Sequence, residues 1–487
     1  MNRRAGLLLH PTSLPGPYGI GDIGPSAKEL LAWMDSAELR IWQVLPLHPI
    51  DPWGSPYAAD SSVALEPMML SVDDLVEDGW LLAREKPLAP GPAHRVDWTW
   101  VRTEKQKALD RAADRVVASG ELERAEPSPA LDSYALYKAI KDEQERGWSA
   151  WPAPLRDRDP AALDEARDRL ALRIGRHRAL QWLLARQWSE LRMAAKVRGI
   201  EIWGDVPFFV PHDSVDVWEA PSLWRLDEDR VPSVVSGVPP DAFSEDGQLW
   251  GHPLYDEAAH ANTEYAWWRR RMRELLKVVD RVRIDHFRGF EGVWENPADA
   301  TTAAHGQWVP GPGKPLLEVL TGDFGRETFI AEDLGVITDD VRELLTAFDL
   351  PGMAILQFAF DGEPNHVYLP HRHQRNQVCY TGTHDNQTSL GWFLSRGQEE
   401  QDRIRRYLAA SDRDMPWALM RAAWRSPADT AIVPLQDLLG LDDQARLNLP
   451  GTTQGNWSWR THAAAFTLTL ASRVADEVQI SGRAASQ

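Results

Sequence analysis

Eight short segments of this chain, 6–10, 41–47, 201–208, 281–287, 328–334, 353–360, 377–383 and 431–435, are dense in Val, Ile, Leu, Phe or Trp without strict apolar–polar alternation. A strand that alternates has one wet face. A strand that does not alternate must be covered on both faces, which is the condition of a parallel sheet wrapped by helices. Helical signals fall between several of these segments. Pro25 opens 25–37 at a first helical position, and 339–348 separates the fifth segment from the sixth. Trp267, Met272, Leu275, Leu276 and Val279 recur at helical spacing along 263–279. Eight β segments with helical spacers predict an α/β fold, the (β/α)8 TIM barrel. The eighth segment carries Pro434, which cannot donate to a ladder.

The spacing is uneven. Roughly 150 residues separate the second and third segments, and 103–118, 131–145 and 161–198 within them read as amphipathic helices, the last broken near Gly175. Roughly 70 residues, rich in Pro, Gly and Trp and poor in helical signal, separate the third and fourth. The expected organisation is a single catalytic barrel over 1–487. It carries a mostly helical insertion over 50–199 and a substrate-covering insertion over 211–262, both at the mouth where the C-terminal strand ends meet. There is no internal repeat and no low-complexity tract.

Three of the β segments end in acidic side chains: Arg283-Ile284-Asp285-His286, Ile330-Ala331-Glu332-Asp333 and Thr383-His384-Asp385-Asn386. On a strand, Arg283 and Asp285 point to the same face. They read either as a structural ion pair or as a nucleophile kept ionised by its cation. Glu332 faces opposite to Asp333. Beside other carboxylates its pKa would rise, as a general acid requires, while Asp333 reads as a cap for the next turn. His384-Asp385-Asn386 reads as an Asx turn or as a third carboxylate at the mouth. Three acids delivered to one mouth can cleave a glycosidic bond, which needs one acid for the leaving oxygen and one carboxylate for the sugar.

The net charge of −19 repels phosphate backbones and anionic lipid, so neither nucleic acid nor a membrane surface is an expected partner. No stretch reaches the ~20 apolar residues of a membrane helix. The single cysteine, Cys379, excludes an intrachain disulfide and fits a reducing cytoplasm, the expected location, although a secreted protein can also lack disulfides. The apolar run Leu7-Leu8-Leu9 is cut by His10-Pro11, too short for a signal peptide. Gly19-Ile20-Gly21-Asp22-Ile23-Gly24 has the glycine spacing of a dinucleotide loop, but a proline-bearing stretch from Pro11 to Pro17 precedes it and the second segment ends Leu47-His48-Pro49 without an acid. His371-Arg372-His373 is too sparse for a metal site. Twenty-three Trp against 12 Phe and 9 Tyr serve either as core filler or as platforms for sugar rings.

Several longer motifs occur in order: Leu7-Leu8-Leu9-His10-Pro11-Thr12-Ser13-Leu14-Pro15-Gly16-Pro17-Tyr18-Gly19, Ser55-Pro56-Tyr57, Gly204-Asp205-Val206-Pro207, Gly237-Val238-Pro239-Pro240-Asp241, Gln248-Leu249-Trp250-Gly251, the three acidic motifs, Leu356-Gln357-Phe358-Ala359-Phe360, Asn448-Leu449-Pro450-Gly451-Thr452 and Asn456-Trp457. With them the chain resembles the amylomaltases, the 4-α-glucanotransferases of glycoside hydrolase family 77, almost from end to end. The resemblance is loosest over about 100–195. It departs at Asp51-Pro52-Trp53-Gly54 and at Ala242, positions that bear on donor preference.

The resemblance implies a nucleophile at Asp285, a general acid/base at Glu332 and a third carboxylate at Asp385, which with His384 grips sugar hydroxyls. It places Arg283 and His286 in support and Tyr57 in a stack near the cleaved bond. Gln248 and Trp250 fall in a loop over the glucan, and Asp241, Asp361 and Asn456 in sugar contacts. The implied reaction is a retaining transfer of an α-1,4-glucan segment to the 4-hydroxyl of an acceptor glucan or glucose, on maltooligosaccharides or fragments of starch or glycogen. It calls for neither metal nor organic cofactor. The rivals are an α-amylase-type hydrolase and an inactive glucan-binding scaffold.

Overall fold

The computed structural model describes residues 3–87, 93–240 and 245–484. Eight parallel strands, Arg4–Leu8, Ile41–Gln43, Glu201–Pro207, Arg281–Asp285, Phe329–Ala331, Gly352–Ile355, Gln377–Tyr380 and Thr430–Pro434, pair in sequence order, and the eighth returns to lie beside the first. Helices surround them, giving the TIM barrel. Pro434 is tolerated because it is the last rung of its ladder, opposite Leu8. Gly6 lies opposite both Ile41 and Ile432, and a Cβ there would stand 2.8 Å from the Ile41 Cβ. Only glycine lets the chain approach that closely.

The ladder runs unbroken from the sixth strand round to the fifth. The remaining seam is closed by the Ala331 N–H to the Pro351 carbonyl, 2.9 Å, and by a side chain: Asp333 Oδ1 accepts the Met353 N–H at 2.7 Å. A Cβ on Gly352 would lie 2.5 Å from Asp333 Oδ2, so glycine makes room for the carboxylate. Asp333 is therefore a barrel-closing acceptor, and the helix Asp339–Phe348 begins after it with Thr338 as its N-cap residue.

Between the second and third strands lie the helices Gln106–Ser119, Pro129–Gln144, Pro160–Arg169 and Ala171–Val197. The expected break near Gly175 falls instead at Leu170, between the last two. Gly175 sits inside the long helix, where a Cβ would meet Val117 Cγ2 at 3.1 Å, so it serves a close helix–helix approach. The same helix ties down the loop that carries Tyr57. Gln181 exchanges two hydrogen bonds with the main chain of Leu65, 2.9 and 2.8 Å, and Gln187 does the same with Ser71, 2.8 and 3.1 Å. A buried amide satisfied at both ends fixes register between segments distant in sequence.

Where the sequence shows little regular structure after the third strand, the chain forms Val234–Val238 and Gln248–Pro253. These join Gly292–Pro297 and Gln307–Pro310, from beyond the fourth strand, in a four-stranded antiparallel sheet. In the Gly19–Gly24 loop, Asp22 Oδ1 accepts the Gly24 N–H and Oδ2 faces the buried Lys105 ammonium at 3.7 Å. A Cβ on Gly21 would stand 2.1 Å from the Pro11 carbonyl, so this glycine packs loop against loop. No helix among the described residues is long and apolar enough to cross a membrane.

Candidate active site

The third and fourth strands place Asp205 opposite Arg283 and Pro207 opposite Asp285. Arg283 is thus aimed into the barrel, and its guanidinium divides between two strands: Nη1 to Asp205 Oδ2 at 2.7 Å, Nη2 to Asp285 Oδ1 at 2.8 Å. The Arg283 side chain is 5% exposed, whereas that of Asp285 is 29% exposed. The cation is sealed, and the carboxylate it holds opens on the mouth. Burial works against the Arg283 charge, but Asp205 and Asp285 outweigh it and raise its pKa. Burial also raises Asp205, to about 6, with Arg283 opposing and Asp285 reinforcing the rise.

The fifth strand sets Ala331 beside Ile284, so Glu332 follows directly next to Asp285. The main chain interlocks there: Glu332 N–H to the Ile284 carbonyl, 3.0 Å, and Phe287 N–H to the Glu332 carbonyl, 3.1 Å. Glu332 Oε2 accepts the His286 N–H at 2.7 Å and Oε1 accepts the Leu334 N–H at 3.1 Å. His286 has φ 56°, the left-handed region, and that turn aims its N–H at Glu332. Such a conformation costs a non-glycine residue on the order of 1–3 kcal/mol, and it recurs at functional sites. Burial first, and the Asp285 charge second, push the Glu332 carboxyl well above the ordinary range, against Arg283 and the His286 N–H.

Tyr57 connects this centre to the turn after the seventh strand. Its hydroxyl donates to Asp205 Oδ2 at 2.9 Å, and its ring lies on His384, centroids 5.2 Å apart at 16°. Trp457 packs against both rings at 5.8 Å. His384 Nε2 is 3.2 Å from Asp385 Oδ2, Asn448 Nδ2 donates to Asp385 Oδ1 at 2.6 Å, and Arg446 Nη2 donates to the Asp385 carbonyl at 2.6 Å. Burial pushes Asp385 up, but His384, Asn448 and Arg283 outweigh it and hold it at about 2. Its side chain is 41% exposed, so it too faces the mouth.

On the other side, the His286 ring meets Trp250 edge to face, 4.7 Å at 88°. Trp250 Nε1 donates to Gln248 Oε1 at 3.3 Å, and both stand on the Gln248–Pro253 strand. Burial lowers His286 to about 4, so it is neutral near pH 7.

The contacts therefore run unbroken from Glu332 through His286, Asp285, Arg283, Asp205, Tyr57 and His384 to Asp385. Two of the expected residues stand apart from that chain. Asn456 directs its amide into its own loop, accepting the Leu449 N–H at 3.0 Å and donating to the Thr452 carbonyl at 2.9 Å, which shapes the segment that presents Asn448. Asp361 is exposed, accepting the Glu363 N–H at 2.9 Å with His366 at 3.8 Å. Asp241 lies outside the described residues. Asp205 and Asn448 hold the site together without having been singled out. Their only sequence signal is position within the Gly204–Pro207 and Asn448–Thr452 motifs, because each partner lies on another element. Among the described residues, no group of three or more His, Cys, Asp or Glu is arranged to hold a metal ion.

The chain matches known proteins over most of its length. The family model of glycoside hydrolase family 77, described as 4-alpha-glucanotransferase, matches residues 9–467. The chain is 43% identical over 480 residues to a 4-alpha-glucanotransferase of Thermus thermophilus, covering 94% of each. It is 44% identical over 469 residues to a chloroplastic/amyloplastic 4-alpha-glucanotransferase of Arabidopsis thaliana, covering 94% of this chain and 81% of that one. Its structure superposes on an amylomaltase from Streptococcus agalactiae in complex with acarbose with a TM-score of 0.95 at 32% identity, covering 99% and 100% of the two chains.

Proposed function

The chain belongs to glycoside hydrolase family 77 and is a 4-alpha-glucanotransferase, and on that premise we propose a retaining transfer through a covalent glycosyl-Asp285 intermediate. Asp285 attacks the anomeric carbon while Glu332 gives its proton to the departing glycosidic oxygen. The donor's reducing-end fragment leaves. Glu332, now a carboxylate, takes the proton from the 4-hydroxyl of an acceptor, whose oxygen displaces Asp285 and forms the new α-1,4 bond. Atoms and protons balance with carboxylates alone.

The observation that carries this reading is the unequal treatment of two adjacent acids. Asp285 is gripped by the sealed Arg283 guanidinium at 2.8 Å, while Glu332 is pushed toward its protonated form by burial and by Asp285 itself. A nucleophile and a general acid need that division. Asp385 and His384 would grip hydroxyls of the attacked ring, and Tyr57 would stack against it. Gln248 and Trp250, on the segment 211–262 that we assign as the substrate cover, would shut out water, so that a sugar rather than water resolves the intermediate. The substrates are maltooligosaccharides and fragments of starch or glycogen, with glucose among the acceptors. The buried free thiol of Cys379 fits the reducing cytoplasm.

Incubation with maltotriose tests the reading. Glucose and longer chains at a constant count of reducing ends are expected. A rising count would make the protein a hydrolase instead.

A further inference from the structure

Trp308 stands on the outer strand of the antiparallel sheet, 38% exposed, in a chain that buries most of its large tryptophans. Two contacts fix the ring. Trp294, directly opposite on the neighbouring strand, meets it steeply tilted, 5.1 Å at 65°, and is itself anchored by Nε1 donating to the Ala303 carbonyl at 2.8 Å. The Arg288 guanidinium lies over one face at 3.5 Å from the ring centre. Arg288 is 6% exposed, so that face is closed and the exposed area belongs to the rest of the ring.

Arg288 also joins this ring to the candidate active site. It follows His286 by two residues, and its Nη1 donates to the Val336 carbonyl at 2.7 Å. Val336 is 52% exposed and ends the turn that starts at Glu332, whose Oε1 holds the Leu334 N–H. Trp308 is thus tied by contacts to the turn after Glu332, whereas Tyr57 and His384 reach Asp285 through Asp205 and Arg283. If Glu332 handles the glycosidic oxygen, as proposed above, rings on its side of the bond are those that leave and those that arrive.

We propose that the open part of Trp308, joined to Val336 through Arg288, is an acceptor-side platform on which a glucose unit of an incoming α-1,4-glucan stacks, beyond the ring that receives the new bond. An indole clamped by a cation and by a second indole loses little freedom when a ligand settles on it, which favours binding by a weakly polar surface. The axial C–H groups of a glucose face suit such a ring. The chain's charge of −19 argues against an anionic occupant. The inference rests on the transferase reading.

The test uses one donor, a maltotriosyl fluoride lacking the terminal 4-hydroxyl so that it cannot serve as acceptor, and acceptors from glucose to maltotetraose. In Trp308→Ala the ratio of kcat/KM for maltotriose to that for glucose should fall roughly tenfold, equivalent to ~1.4 kcal/mol. Trp308→Phe should restore most of it. Val336→Asp, at an exposed position that tolerates charge, should lower the same ratio and serves if the alanine variant does not fold. An unchanged ratio in folded variants overturns the proposal. So does a loss uniform across all acceptors, which would mark Trp308 as a prop for the Glu332 turn. A wild type that only hydrolyses the fluoride would sink the transferase reading, and the platform with it.

Discussion

Asp205→Ala removes the carboxylate toward which both Arg283 Nη1, 2.7 Å, and the Tyr57 hydroxyl, 2.9 Å, are directed. Taking one partner from a buried ion pair costs about 3–5 kcal/mol. Arg283 keeps Asp285 at 2.8 Å, so its charge is not orphaned and the lower end, about 3 kcal/mol, applies. The Tyr57 hydroxyl loses its acceptor, adding about 1 kcal/mol. Unfolding entropy near 2.1 cal/mol/K per residue over 487 residues gives about 1 kcal/mol/K. Calorimetry should then show a Tm lower by about 4 °C. Transfer from maltotriose should fall at least about tenfold, because Tyr57 is freed from its position on His384 and Arg283 is left to Asp285 alone. Asp205→Asn keeps an oxygen for Tyr57 while losing the charge, and should fall between. An alanine variant that melts with the wild type and transfers glucan at the wild-type rate would refute the claim that Asp205 braces the site.

Two further outcomes follow from the electrostatics. Asp385 sits at about 2 in the folded chain against an ordinary 3.8, held down in part by the Asn448 amide. A carboxylate lowered by folding adds stability that is complete above its unfolded value and disappears as pH falls through the folded one. Asn448→Ala should therefore flatten the loss of stability between pH 4 and 2, followed by tryptophan fluorescence, and superimposable acid curves would contradict it. Glu332 must carry its proton to act, so activity should decline as pH rises through its raised pKa. Asp333 contributes to that rise, after burial and Asp285. Asp333→Asn keeps an oxygen for the Met353 N–H but removes the charge, which should move the alkaline limb of the kcat profile to lower pH; an unmoved limb would show that Asp333 serves only the seam.

The barrel was legible because strands covered on both faces leave continuous apolar runs, and all eight lie where those runs lie. The opposite facing of Glu332 and Asp333 was legible for the same geometric reason: one turns to Asp285, the other to the seam. The antiparallel sheet was not. Its strands are four to six residues long and pair Val234 with Pro297 across the whole fourth barrel strand, so no local pattern announces them. Gly175 misleads for a physical reason, since a glycine that admits Val117 looks in sequence like one that ends a helix. Asp205 and Asn448 were hidden because their significance is the register of another strand and the shape of another loop. Asn456 illustrates the converse: a residue read as a sugar contact has its amide committed to Leu449 and Thr452.

The central claim is that Asp285 becomes covalently bound to sugar while Glu332 supplies the proton. Glu332→Gln, given a maltotriosyl fluoride whose leaving group needs no proton, should form the ester and fail to pass it on promptly. Mass spectrometry of a rapid digest should then find one maltotriosyl unit on the peptide containing Asp285. Label on the Asp385 peptide, or release of the sugar with no labelled peptide and with inverted anomeric configuration, would contradict the account.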